Sequence, residues 1–103
     1  MKTAAKRKLY VQQRSREDLA ALVADENPDA LLADGFEDAF IGLARRCGQP
    51  TLVTYDTDKC LEILIARDGM TYEEAVEYFE FNVVGAWMGP NTPLYLYRHV
   101  EED

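Results

Sequence analysis

The stretch AFIGLARRCGQPTLVTYDTDKCLEIL, residues 39–64, decides the fold class, because it reads as a hairpin that feeds a helix. Thr51 to Tyr55 is short, apolar and β-branched, the composition of a strand. Gly48-Gln49-Pro50 just before it signals a turn, and Ala39 to Arg46 supplies a partner strand in which Gly42 and Ala44 permit close packing. Two strands on either side of so short a connector predict an antiparallel hairpin. A helix over 36–46 competes, since Phe36, Phe40, Leu43 and Ala44 also fall at helical spacing.

The end of the same stretch poses a chemical question. Asp56 and Asp58 form an Asp-x-Asp pair after a buried strand, where phosphoryl-transfer and metal-dependent enzymes keep a nucleophile or a magnesium ligand. The residues that follow give a different answer. A helix over 57–68 exposes Lys59, Glu62 and Ala66 as a narrow stripe, turns Cys60, Leu61, Ile63, Leu64 and Ile65 inward, and stops at Gly69. Asp56 is then the N-cap, Asp58 sits in the first turn against the positive end of the helix dipole, and Tyr55 and Cys60 occupy the positions of a hydrophobic staple. A phosphatase-type site would also need a downstream lysine, and the chain has none after Lys59. No catalytic residue, cofactor site or metal site is assigned. A hydrolase built on Asp34, Asp38, Asp56 and Asp58 around a divalent ion would require the fold to gather four acids from separate turns and strand ends.

Three further elements complete the expected fold. Ser15 caps a helix over 16–26, with Leu19, Leu22 and Val23 at helical spacing and Asn27-Pro28 ending it. Thr71 and Glu74 make a capping box for a helix over 72–84, whose inward stripe is Tyr72, Ala75, Val76, Phe79, Val83 and Ala86 and whose outer edge carries Glu73, Glu77 and Glu80. The alternation Leu94, Tyr95, Leu96, Tyr97 predicts a strand over 94–98, leucines toward the core and tyrosines outward. The fold class is α+β, a small antiparallel sheet of about three strands with two or three helices packed on it. The alternative is a mostly helical domain in which 36–46 is helix and one hairpin survives.

At 103 residues the chain is long enough for one hydrophobic core and too short for a cofactor domain plus a substrate domain. Its net charge of −8 conceals an asymmetry. Residues 1–16 carry six basic residues and no acid, whereas residues 17–103 carry five basic residues against all 19 acids, a net of −14. The expected organisation is a basic arm over residues 1–14 on a single α+β domain over 15–103. No apolar run approaches the ~20 residues that span a bilayer, which sets the expectation of a cytoplasmic protein without a membrane partner. Cys47 and Cys60 are thirteen positions apart and outside any Cys-x-x-Cys pair, and with His99 the only histidine they make no zinc set, so two reduced thiols are expected.

Two surfaces are candidates for binding. Trp87, Tyr95 and Tyr97, near Met88, Tyr78 and Phe81, would form an amphipathic aromatic patch next to Glu73, Glu77 and Glu80, suited to a protein partner or a second copy in a homodimer. Lys6, Arg7, Lys8, Arg14 and Arg16 of the arm would instead meet the phosphates of a nucleic acid, with affinity falling steeply with salt.

The segments DGFEDAFIG, YDTDKCLEIL and EEAVEYFEFNVVGAW give the chain a resemblance to a family of small proteins of tailed phages and of the bacterial genomes they visit. The likeness covers roughly residues 34–97, leaves the basic arm outside, and brings no assigned activity or residue roles. It implies a setting of mobile elements inside a host cytoplasm. In that setting a small acidic protein can inhibit a host nucleic-acid-binding protein by offering carboxylates in place of phosphates, here from Glu73, Glu77 and Glu80 with Asp34, Glu37 and Asp38.

Overall fold

The computed structural model describes residues 10–99, and their fold is α+β. Helix α1 spans Arg16–Ala24, strands β1 and β2 span Phe40–Ala44 and Leu52–Asp56, helices α2 and α3 span Thr57–Asp68 and Tyr72–Phe79, and strand β3 spans Leu94–Leu96. The segment over 36–46 is therefore a short 3₁₀ turn at Glu37–Ala39 leading into a strand, not a helix. Local chemistry accounts for the ends. Ser15 accepts a hydrogen bond from the Asp18 N–H, Thr71 and Glu74 form the reciprocal capping box, and α2 stops at Gly69, whose φ of 73° places it in the left-handed region that favours glycine.

The sheet is mixed, with β2 in the centre. β1 and β2 form the expected antiparallel hairpin, with a bulge between Phe40 and Gly42 that turns Ile41 to solvent. β3 pairs with the other side of β2 in parallel, opposite the wholly antiparallel expectation. The reason is the connection: α2 and α3 form a crossover that returns the chain to the start of the sheet, as parallel neighbours require.

That register inverts the predicted faces of β3. Tyr95 lies opposite Tyr55, and the two rings stack at 5.9 Å between centroids, while Phe79 meets Tyr95 edge-on at 5.4 Å and Phe36 at 6.3 Å. Tyr95 is thus turned into the core, and Leu94 and Leu96, paired with Thr54 and Asp56, stand exposed on the opposite face. The expected faces are thus reversed at Leu94, Tyr95 and Leu96, whereas Tyr97, just beyond the strand, is exposed as expected. The three described helices bury apolar residues against Val53 and Tyr55, Leu19 and Val23 from α1, Cys60, Leu61, Ile63 and Leu64 from α2, Ala75 and Phe79 from α3. Ile65, expected inward, is exposed, as are Leu22 and Tyr72 at the margins of their stripes.

Helical winding runs on to Val84, but its last five residues, Glu80–Val84, form a π-turn closed by a bond from the Gly85 N–H to the Glu80 carbonyl. A Cβ on Gly85 would lie 3.0 Å from that carbonyl oxygen and 3.1 Å from the next, so the turn closes on glycine. No helix among the described residues is long and apolar enough to cross a membrane.

The inverted strand gives a direct test by urea unfolding. Tyr95→Ala removes a ring from the aromatic stack and is expected to cost about 3 kcal/mol. Leu94→Ser, on the open face, is expected to change stability by no more than about 0.5 kcal/mol.

Candidate functional site

The Asp-x-Asp pair is a helix start. One oxygen of Asp56 accepts from the Asp58 and Lys59 N–H groups at 3.0 and 3.4 Å, and the other accepts from the Arg98 guanidinium at 3.0 Å. Asp58 is exposed in the first turn of α2, and Tyr55 and Cys60 are both buried at the predicted staple positions. Asp56 therefore joins the central strand, a helix start and the segment after β3.

The other acids considered as ion ligands are engaged elsewhere. Asp34 accepts from the Arg16 Nε at 2.7 Å, and Asp38 accepts from the Tyr10 hydroxyl at 3.0 Å and from the Gln13 and Arg14 N–H groups at 2.9 and 2.7 Å. Among the described residues no three histidine, cysteine, aspartate or glutamate side chains stand close enough to share a metal ion. The two thiols are free, Cys47 exposed and Cys60 buried, and burial pushes the Cys60 pKa up to about 12, so it is held as a thiol rather than a nucleophilic thiolate.

Asp38 is the anchor of the described end of the basic arm. Burial of its carboxyl favours the protonated form, but the Gln13 and Arg14 N–H groups, the Tyr10 hydroxyl and the charge of Lys59 outweigh it and lower the pKa below the ordinary 3.8. The Tyr10 pKa moves the other way, up to about 12, through burial and the hydrogen bond to Asp38. Of the proposed phosphate-binding residues, Lys6, Arg7 and Lys8 lie outside the described residues. Arg14 sits over the Phe40 ring at 5.4 Å, and Arg16 is paired with Asp34, so both face their own domain.

The aromatic surface is only partly the one the sequence suggests. Phe81, Trp87, Met88 and Tyr97 are 75, 72, 71 and 68% exposed, while Tyr95 is half-buried against the core and lines a groove together with Trp87. The Tyr97 hydroxyl donates to Glu80 at 2.7 Å, a bond that raises the Tyr97 pKa and ties the strand end to the π-turn. Trp87 shares a groove with Val84, Pro90, Leu52 and Leu94, so the patch runs from the π-turn onto the uncovered face of the sheet. Glu77 flanks Phe81, and Glu73 stands in the first turn of α3, both exposed. The second acidic group does not assemble: Glu37 is buried and accepts from the Gly35 N–H, and Asp34 and Asp38 are bonded as above.

Sequence reasoning missed the apolar leucines of the open face and the pair Arg45-Arg46 at the hairpin connector. The adjacent arginines in a strongly acidic stretch were a legible signal, but the leucines were masked by the assumption that β3 ran antiparallel. Comparisons with protein-family models, with curated proteins and with solved structures give no match to this chain.

Two predictions follow from the carboxylates. Asp56→Ala removes a cap and is expected to cost about 1 kcal/mol by thermal or chemical unfolding. The Asp38 anchor contributes stability above the ordinary aspartate pKa and loses it as pH falls through the lowered value, and the Tyr10 contribution is present below pH 10 and lost on approach to about 12. Exchange protection of the Gln13 and Arg14 amides is expected to persist at neutral pH and vanish in acid, and Asp38→Asn is expected to weaken it at neutral pH.

Proposed function

We propose that this chain is a non-enzymatic accessory protein of a phage or other mobile element, that it acts in the host cytoplasm by binding another protein, and that it pairs with itself as a homodimer. The observation that carries the reading is the set of exposed apolar and aromatic side chains Phe81, Val84, Trp87, Met88, Leu94, Leu96 and Tyr97, of which Val84, Trp87 and Leu94 line one groove. Large aromatic and methionine side chains left in water at that density are a feature of interaction surfaces. The π-turn supports it, because a fifth residue in the last turn re-aims the side chains that follow, and such turns concentrate at functional sites.

Glu77 lines a groove with Phe81, Glu80 is bonded to Tyr97, and exposed Glu73 stands one helical turn before Glu77, carboxylates that would meet a basic partner and suit inhibition of a host nucleic-acid-binding protein. The acidic rim also favours a protein partner over nucleic acid at this surface.

Sedimentation over a concentration series tests the pairing. The wild-type protein is expected to dimerise with a blue shift of Trp87 emission, and Trp87→Ala is expected to weaken association by about 2 kcal/mol or more, as for a central aromatic anchor. A protein that stays monomeric throughout, with unchanged emission, would remove the homodimer from this reading. Recovery of a host protein on the tagged chain, insensitive to nuclease and lost with Trp87→Ala, is the corresponding result for a partner.

A further inference from the structure

Seven arginine and lysine side chains fall among the described residues, and five are engaged by their own fold. Arg14 lies over Phe40, Arg16 pairs with Asp34, Lys59 with Glu62, Arg67 with Asp68 and the Gly35 carbonyl, and Arg98 with Asp56. Arg45 and Arg46 are the exceptions: both are exposed, and neither guanidinium has an ion pair or hydrogen bond to a described residue. They stand at the end of β1, where the connector folds back through a bond from the Gln49 N–H to the Arg46 carbonyl.

These two side chains border a groove of about 400 Å³ on the sheet face that the helices leave open. Its floor is apolar, made by Ala44, Leu52 and Leu94 with Pro50 and Pro90 at the sides. β3 exposes Leu94 there because Tyr95 takes the inward position. Two guanidinium groups with no ion partner among the described residues, beside an apolar floor and on a domain whose residues 17–103 carry a net −14, define the complement.

We propose that this groove is a docking site for an acidic peptide segment of a partner protein, with an apolar side chain seated on Leu52 and Leu94 and the neighbouring carboxylates held by Arg45 and Arg46. A short segment with two or three carboxylates ends within the reach of the two arginines. A nucleic-acid strand continues past them onto the acidic surface, where its phosphates are repelled. The site goes beyond the proposed Trp87 and Tyr97 surface. It adjoins that surface at Leu94 and Pro90 but depends on two residues that the surface does not use.

The test is selection from a displayed library of random dodecapeptides against the full chain, followed by anisotropy titration of a labelled synthetic peptide of the selected sequence. The expected selection places a large apolar residue next to two or more acids. The peptide is expected to lose at least tenfold in affinity with the double variant Arg45→Glu, Arg46→Glu, to weaken with salt, and to shift amide resonances of residues 44–52 and 94. The charge-reversed arginines are exposed at the connector, so the variant's unfolding curve is expected to match the wild type. Leu94→Ser provides a second variant that weakens the same peptide without changing charge.

Enrichment of peptides without acids, equal binding by the charge-reversed variant, or no enrichment would each overturn the proposal. Tighter peptide binding after removal of residues 100–103 would assign the groove to the chain's own acidic end. Loss of self-association in the charge-reversed variant would assign it to a second copy, and arginine-dependent retention of a single-stranded oligonucleotide would assign it to phosphates. Sedimentation of Trp87→Ala is read separately, so failure here is distinguishable from failure of the homodimer.

Discussion

The structure depends on the placement of one ring. Tyr55 is fully buried at the end of the central strand, stacked on Tyr95 of β3, and its hydroxyl oxygen accepts a hydrogen bond from the Ala33 N–H at 2.9 Å. A buried tyrosine requires a partner for its polar end, and here that partner is the loop between α1 and β1. The same residue therefore sets the depth of the loop, the register of β3 and the position of Phe79, which touches Tyr95 edge-on and carries the contact to Phe36. Arg67 closes the series, with its guanidinium over Phe36 and a donor on the Gly35 carbonyl. An aromatic series of this kind gives a small core directional contacts that aliphatic packing alone does not supply.

Polar groups make the long-range joints. Buried Asn27 donates to the Thr51 carbonyl and to the Asn91 side chain, which ties the end of α1 to the start of β2 and to the loop before β3. Asp56 and Asp38 perform the same service at the start of α2 and at the described end of the arm. Both carboxylates accept from backbone N–H groups, Asp56 with Arg98 as an added ion partner, and at Asp38 those N–H groups help to lower the pKa. Asp34, Asp38 and Asp56 each hold a structural hydrogen bond or ion pair within the fold.

What was legible followed from local chemistry. The cap at Asp56, the limits of α2, the capping box at Thr71 and the hairpin around Gly48 are all decided within a few residues, and the sequence states them openly. The burial sense of β3 is not local. Leu94, Tyr95, Leu96 and Tyr97 fit either face equally well by period, and the choice is made by the crossover that brings β3 parallel to β2 and aligns Tyr95 with Tyr55. The same limit applies to the surface: Trp87 and Tyr97 are identifiable as exposed aromatics, but the groove that Trp87 lines exists only once Leu52 and Leu94 are neighbours on the open face.

That open face is where the economy of a small fold meets its use. Three described helices cover one side of three strands, and the other side presents leucines where a sheet facing water usually alternates polar residues. Placing Tyr95 inward strengthens the core through its stack on Tyr55, and the same pleat obliges Leu94 and Leu96 to face outward. The apolar surface is thus a geometric consequence of the best core. Its position between Trp87 and the exposed arginine pair at the hairpin turns that consequence into a surface with direction, apolar along the strands and charged at one end.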